Sequence, residues 1–204
     1  FCRARQKLKP EALAVLNDTL VTAANAQIAQ RRWRDFRVLA VDGSTARLPN
    51  SPAIVEYFGG PRGSGVPLAR FSRLYDVLND RVIQADMAPY RTGERELAAS
   101  YLLDAKLDEL FVYDRGYPAF WLFAFHHTEQ RHYCARVRHD FHAEVTAFVA
   151  DGVKQRTVTL TPNPTSVRQC RDYHLPTDPL RVRLIRVELD SGEVEVLATS
   201  LLDQ

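Results

Sequence analysis

Cysteine is scarce in this chain of 204 residues. Cys2, Cys134 and Cys170 are odd in number and form no Cys-x-x-Cys pair. A disulfide scaffold and a cysteine zinc cage are thereby set aside, and a reducing compartment is the expectation. Long hydrophobic runs are missing as well: nothing approaches the ~20 apolar residues of a membrane helix, so no membrane association is expected. Charge of one sign is also lacking, because 27 basic and 25 acidic residues leave a net charge of +2. Bulk charge therefore gives no argument for a nucleic-acid partner. Lysine is rare, with arginine supplying 23 of the 27 basic residues. Arginine suits bidentate phosphate contact, although a GC-rich genome produces the same bias. There is no signal-like segment, internal repeat or low-complexity tract. The chain opens at Phe1 and closes on a strand-like Ala198–Gln204, which leads us to expect a piece of a longer protein.

Two stretches of similar design stand out. Phe36-Arg-Val-Leu-Ala-Val-Asp42-Gly43 and Glu109-Leu-Phe-Val-Tyr-Asp114-Arg115-Gly116 are each an apolar run that stops at an acid and a glycine. Short apolar runs bounded by turn signals read as buried strands. Chemistry in open α/β sheets gathers at the carboxyl ends of strands. If the two strands lie side by side, their carboxylates repel unless a cation sits between them. Hard oxygen ligands of this kind suit Mg²⁺ or Mn²⁺. The plainer reading is two aspartates that cap turns or helices.

Around these stretches the chain reads as follows. Residues 1 to about 30 are expected to be helical from Pro10 onward, with Leu13, Leu16, Leu20 and Val21 on one face. Arg31-Arg32-Trp33-Arg34 is a basic, solvated link. Pro and Gly crowd residues 47–65, which read as loop without a nucleotide-binding pattern. Residues 68–90 form a hairpin turning at Asn79-Asp80, with Asp76 inside it either a third acid or, more plainly, a strand-interior polar residue facing water. A helix starts near Thr92, with Leu97, Ala98, Tyr101, Leu102 and Ala105 inward. A second, apolar nearly all round, runs from about Pro118 to His127 and should be buried. From Arg131 the character turns to strands, with 141–150 ambiguous and Thr161–Ser166 a loop. A hairpin turns at Asp190-Ser-Gly192, and its first arm changes apolar phase between Leu184 and Val187, which suggests a bulge or a face change. His139 and His142 have i, i+3 spacing but no acidic companion for a metal motif.

The order strand–Asp, hairpin, helix, strand–Asp, helix resembles the core of a ribonuclease H-like fold. Val38-Leu-Ala-Val-Asp42-Gly-Ser44, Leu74–Leu78, Tyr90-Arg-Thr-Gly-Glu-Arg95, Tyr113–Tyr117 and Leu201-Leu-Asp203 together resemble the DDE transposases of bacterial insertion sequences. The group named after insertion sequence four fits best, and the likeness spans nearly the whole chain. It implies an α/β fold: a ribonuclease H-like mixed sheet with flanking helices and a β-rich insertion after the second catalytic Asp. The implied division is a helical segment at 1–35, the first part of the catalytic core at 36–130 and an inserted β-rich subdomain at 131–204.

The resemblance further implies Asp42 and Asp114 as catalytic and metal-holding residues, two Mg²⁺ or Mn²⁺ ions in the complete enzyme, and cleavage and strand transfer of DNA. Arg115, Arg95 and Arg73 are the candidate DNA contacts, with an ion pair fixing Asp114 as the other role for Arg115. Expected partners are transposon terminal repeats and target DNA, engaged as a homodimer in a bacterial, nucleoid-associated setting. The family's third acid is a Glu within Tyr-x₂-Arg-x₃-Glu-x₆-Lys. Tyr133-x₂-Arg136-x₃-Asp140 approaches this, but Ala147 replaces the lysine, and the match precedes the insertion. We therefore expect the third acid to lie beyond this chain and the chain alone to be inactive. The rival readings are another ribonuclease H-like nuclease or resolvase, a catalytically inactive DNA-binding or assembly module, and a plain α/β domain.

Overall fold

The computed structural model describes residues 7–9 and 11–203. Cys2, Pro10 and Gln204 lie outside the described residues. In chain order the elements are α1 (Glu11–Gln27), β1 (Arg37–Arg47), α2 (Pro52–Phe58), β2 (Leu68–Asp76), β3 (Arg81–Pro89), α3 (Glu94–Ser100) and β4 (Glu109–Tyr113). They continue as α4 (Phe120–Thr128), β5 (His132–Val137), α5 (Ala143–Asp151), β6 (Gln155–Leu160), α6 (Pro164–Asp172), β7 (Leu180–Glu188) and β8 (Val194–Thr199).

All eight strands join one mixed sheet in the order β3-β2-β1-β4-β5-β8-β7-β6. β1, β4 and β5 run parallel at its centre, and the other pairings are antiparallel. The short β4 reads apolar along its length because it is central and parallel, with Leu110, Phe111 and Tyr113 all buried. β5 pairs with β4 inside the central parallel group, and β8, β7 and β6 extend the same sheet outward.

One sheet face carries the core. Leu39, Val41, Phe111, Tyr113, Tyr133 and Val182 meet Ala98, Leu122, Phe123, Phe148 and Cys170 from helices α3 to α6. Phe123 stacks on Tyr133 with ring centroids 4.4 Å apart. α4 is buried nearly all round, His126 included; the Tyr113 hydroxyl lies 2.9 Å from its Nε2, and its Nδ1 faces the Arg131 carbonyl. Burial pushes the His126 pKa down to about 3, so the ring is neutral. The opposite face opens as a hollow of about 470 Å³ lined by Val38, Leu110, Val112, Cys134, Ile185 and Leu201 among others.

Several local expectations change. α1 forms, but it buries no residue, and Leu13, Leu16 and Leu20 of its apolar stripe stay more than half exposed. A short helix, α2, interrupts the 47–65 loop. α3 begins after Gly93 rather than Thr92, with the Glu96 carboxylate accepting from the Gly93 N–H. The ambiguous 141–150 stretch is helical, because the His142 ring accepts from the Glu144 N–H and caps α5. The expected loop at 161–166 is cut short at Asn163, whose side chain accepts from the Ser166 N–H, and Pro164 opens the first turn of α6. β7 keeps unbroken register with β6 and β8, so its change of apolar phase is no bulge. Leu184 faces the core and Ile185 faces the hollow.

Candidate active site

Asp42 and Asp114 are brought together by the β1–β4 register. Val41 lies beside Tyr113 in the last parallel pair, so the next step along both strands sets Asp42 beside Asp114. Val41 and Tyr113 point into the core, and alternation turns the two acids to the opposite face. Contrary to the sequence expectation, β1 does not end at Asp42. It continues to Arg47 against β2, while the chain after Tyr113 turns away. The acids thus sit where the central strands part company, as ligand sites do in open α/β sheets.

Each acid has an arginine as its outer neighbour. Asp42 is in register with Arg73 on β2, and Asp114 follows Tyr113, which pairs with Ala135, so Arg136 of β5 lies alongside it. The resulting row across the sheet is Arg73, Asp42, Asp114, Arg136. Arg73 Nη2 is 2.6 Å from Asp42 Oδ2, and Arg136 Nε is 3.4 Å from Asp114 Oδ1. Both acid side chains are well exposed, at 58% and 68%. Exposed ion pairs of this kind contribute about 0–1 kcal/mol. The row is therefore compensated in charge without being locked.

A better buried carboxylate stands behind it. Glu195 on β8 is only 9% exposed at its side chain and holds two guanidiniums: Arg136 Nη2 at 2.6 Å and Arg115 Nη2 at 3.0 Å. Arg115 also pairs with Glu193, which holds the Glu193 carboxyl below its usual range. The cation against Asp114 is thus Arg136, and Arg115 is spent on the terminal hairpin. The sequence does not mark Arg136 as a neighbour of Asp114. Alternation along β5 places it on the face away from Tyr133, Ala135 and Val137, but nothing local tells which strand lies next door.

The turn after Asp114 is pinned from two sides. The Tyr117 N–H bonds the Asp114 carbonyl at 3.0 Å. Arg95, expected to contact DNA, directs its guanidinium to the carbonyls of Gly116 and Tyr117. The Tyr117 ring packs inward, and its hydroxyl is buried without a hydrogen-bond partner. Burial first, then the charges of Glu94, Asp42 and Asp114, push its pKa up to about 12.

The other candidate ligands lie elsewhere. Asp76 is fully buried on the core face, where Arg37 Nε meets its Oδ2 at 2.6 Å. Asp140 pairs with Arg138 on an exposed turn. His139 bonds the Val194 carbonyl through Nε2, and His142 bonds the Thr161 carbonyl. Among the described residues no group of three or more His, Cys, Asp or Glu side chains is placed to hold a metal ion. Among them, too, no helix is long and apolar enough to cross a membrane.

No family model matches the chain. Over 88 residues it is 28% identical to the Putative transposase InsZ of Escherichia coli (strain K12), a match covering 41% of this chain and 29% of that protein. The chain thus spans under a third of the relative's length. Among solved structures it is similar to piggyBac transposase in a synaptic complex with hairpin DNA, at a TM-score of 0.44 and 12% identity, over 82% of this chain and 34% of that one. Sequence similarity therefore ties part of this chain to a transposase.

Proposed function

We propose that this chain is catalytic-domain sequence of a DDE transposase of the insertion-sequence-four group, built on a ribonuclease H-like core. The observation that carries the reading is the side-by-side placement of Asp42 and Asp114 at the end of the β1–β4 pairing. The partial similarity to a transposase agrees with it. The substrate is the phosphodiester backbone of DNA at the ends of a mobile element, bound as a homodimer.

Two adjacent, exposed carboxylates are a hard oxygen donor set that fits Mg²⁺ or Mn²⁺. Asp42 and Asp114 would hold the cation, which when bound neutralises charge on the entering and leaving oxygens of an in-line displacement. A complete site of this kind uses two ions, and the described residues bring only two carboxylates together. This chain by itself is therefore proposed to bind a divalent cation weakly and not to cut DNA. Its own residues orient the acids: the β1–β4 register sets their spacing, and Arg95 fixes the turn behind Asp114.

A second reading, an inactive DNA-binding or assembly module, is favoured by one observation, the arginine beside each acid. Manganese titration followed by electron paramagnetic resonance tests the first. The chain is expected to bind Mn²⁺, with Asp42→Asn and Asp114→Asn each abolishing binding. Equal binding by the wild type and both variants would leave only the module.

A further inference from the structure

We propose that Arg73 and Arg136 are the built-in counter-cations of the Asp42–Asp114 pair, and that when a divalent cation takes their place both guanidiniums become phosphodiester contacts for nucleic acid. Glu195 is the positioning residue that keeps Arg136 at the site. The inference rests on the proposed metal-holding role of the two acids and concerns how that site couples to its substrate.

The row Arg73, Asp42, Asp114, Arg136 is neutral as it stands. A divalent cation between the acids makes it positive by two charges, and the two arginines then face a like charge instead of a partner. They are free to respond because both are substantially exposed, Arg73 at 58% and Arg136 at 42%. Exposed pairs give way readily to a stronger competitor. Arg136 does not leave altogether, since its Nη2 stays on the buried Glu195 carboxylate. That leaves its Nε directed to the site, and this atom is buried without a hydrogen bond. A planar guanidinium held at one edge presents its remaining N–H groups as a fork, the shape that matches a phosphate.

Coupling of this kind is reciprocal. If the cation strengthens nucleic-acid binding, nucleic acid must strengthen cation binding by the same factor. Two readouts test it without any cleavage: Mn²⁺ binding by paramagnetic resonance, and fluorescence anisotropy of a labelled DNA duplex of arbitrary sequence with and without Mn²⁺ at constant ionic strength. Arg73→Gln and Arg136→Gln should each bind Mn²⁺ about two- to fivefold more tightly, the size of an exposed charge interaction. Wild type should bind the duplex more tightly with Mn²⁺, and the Arg73→Gln/Arg136→Gln double variant should lose that gain. Glu195→Gln should keep metal-free duplex binding and lose most of the gain. Arg181→Gln, an exposed arginine on β7, should behave as wild type. Unchanged Mn²⁺ affinity in both arginine variants, with binding lost in Asp42→Asn and Asp114→Asn, would overturn the counter-cation role and leave the metal site standing. Mn²⁺ binding unaffected by the aspartate variants would overturn both. A full gain in Glu195→Gln would overturn the positioning role.

Discussion

The Tyr117 hydroxyl occupies the space that a side chain on Gly43 would need: a Cβ on Gly43 would come within 2.9 Å of it and 3.4 Å of the Phe71 carbonyl. Gly43 directly follows Asp42, and Tyr117 ends the turn that begins at Asp114, so the contact ties the two halves of the candidate site together. Gly43→Ala should destabilise the fold by about 1–3 kcal/mol through overpacking. Tyr117→Phe in the same chain removes the clashing atom and should restore most of that loss. Urea denaturation of the single and double variants measures the coupling, and additive losses would show that the two residues act independently.

Arg37 is the charged group whose removal should cost most. It is 8% exposed and reaches Asp76 at 2.6 Å and Glu109 at 3.7 Å, and both acids are themselves buried. Arg37→Gln leaves two buried carboxylates without their cation, for which about 3–5 kcal/mol is the expected loss. Arg73→Gln, at an exposed pair, should cost under about 1 kcal/mol. Denaturant midpoints of the two variants compare the losses directly.

His126 predicts a pH dependence with a definite sign. Its folded pKa of about 3 lies below the ordinary 6.5, so between these values the unfolded chain binds a proton that the folded chain does not. Stability from this group is therefore complete above pH 6.5 and falls as pH drops toward 3. By pH 5 the loss should be about 2 kcal/mol. His126→Gln can still accept from the Tyr113 hydroxyl but does not titrate, so its stability should fall less between pH 7 and pH 5 than that of the wild type. Urea midpoints at the two pH values, compared between the proteins, check it.

Asp42→Ala and Asp114→Ala separate function from stability. Both side chains are exposed and their ion pairs weak, so each variant should keep its melting temperature to within a few degrees. In a longer protein that contains this chain and cuts DNA, each should abolish metal-dependent cleavage while leaving duplex binding largely intact. Undiminished cutting by either variant would remove that aspartate from the proposed pair.

The elements that local pattern could reveal were those with strong local signals. Apolar runs ending at an acid placed Asp42 and Asp114 on strands, turn chemistry at Asn79-Asp80 and Asp190-Ser-Gly192 placed both hairpins, and an all-apolar segment announced the buried α4. α6 escaped notice because it is polar almost throughout, with Cys170 its one buried residue. Its only signal is the Asn163-Pro164 cap, which is easily read as a turn. The apolar stripe of α1 was legible, but its burial was not: spacing says which residues share a face and is silent on whether anything packs against it.

The sequence by itself determined the face on which each strand residue lies, because alternation is a property of the extended backbone. It therefore turned Asp42 and Asp114 away from Val41 and Tyr113, and put Arg73 and Arg136 among the outward residues of their own strands. Only the tertiary structure decided that these four residues form one row. The order and register that make the row are set by pairings between residues 22 to 72 apart: Tyr113 with Ala135, Asp42 with Arg73 and Val41 with Tyr113. It is likewise the docking of β8 beside β5 that buries Glu195 and makes it the anchor of Arg136. A local pattern carries no information about which strand is the neighbour, and here the neighbour decides the charge beside each acid.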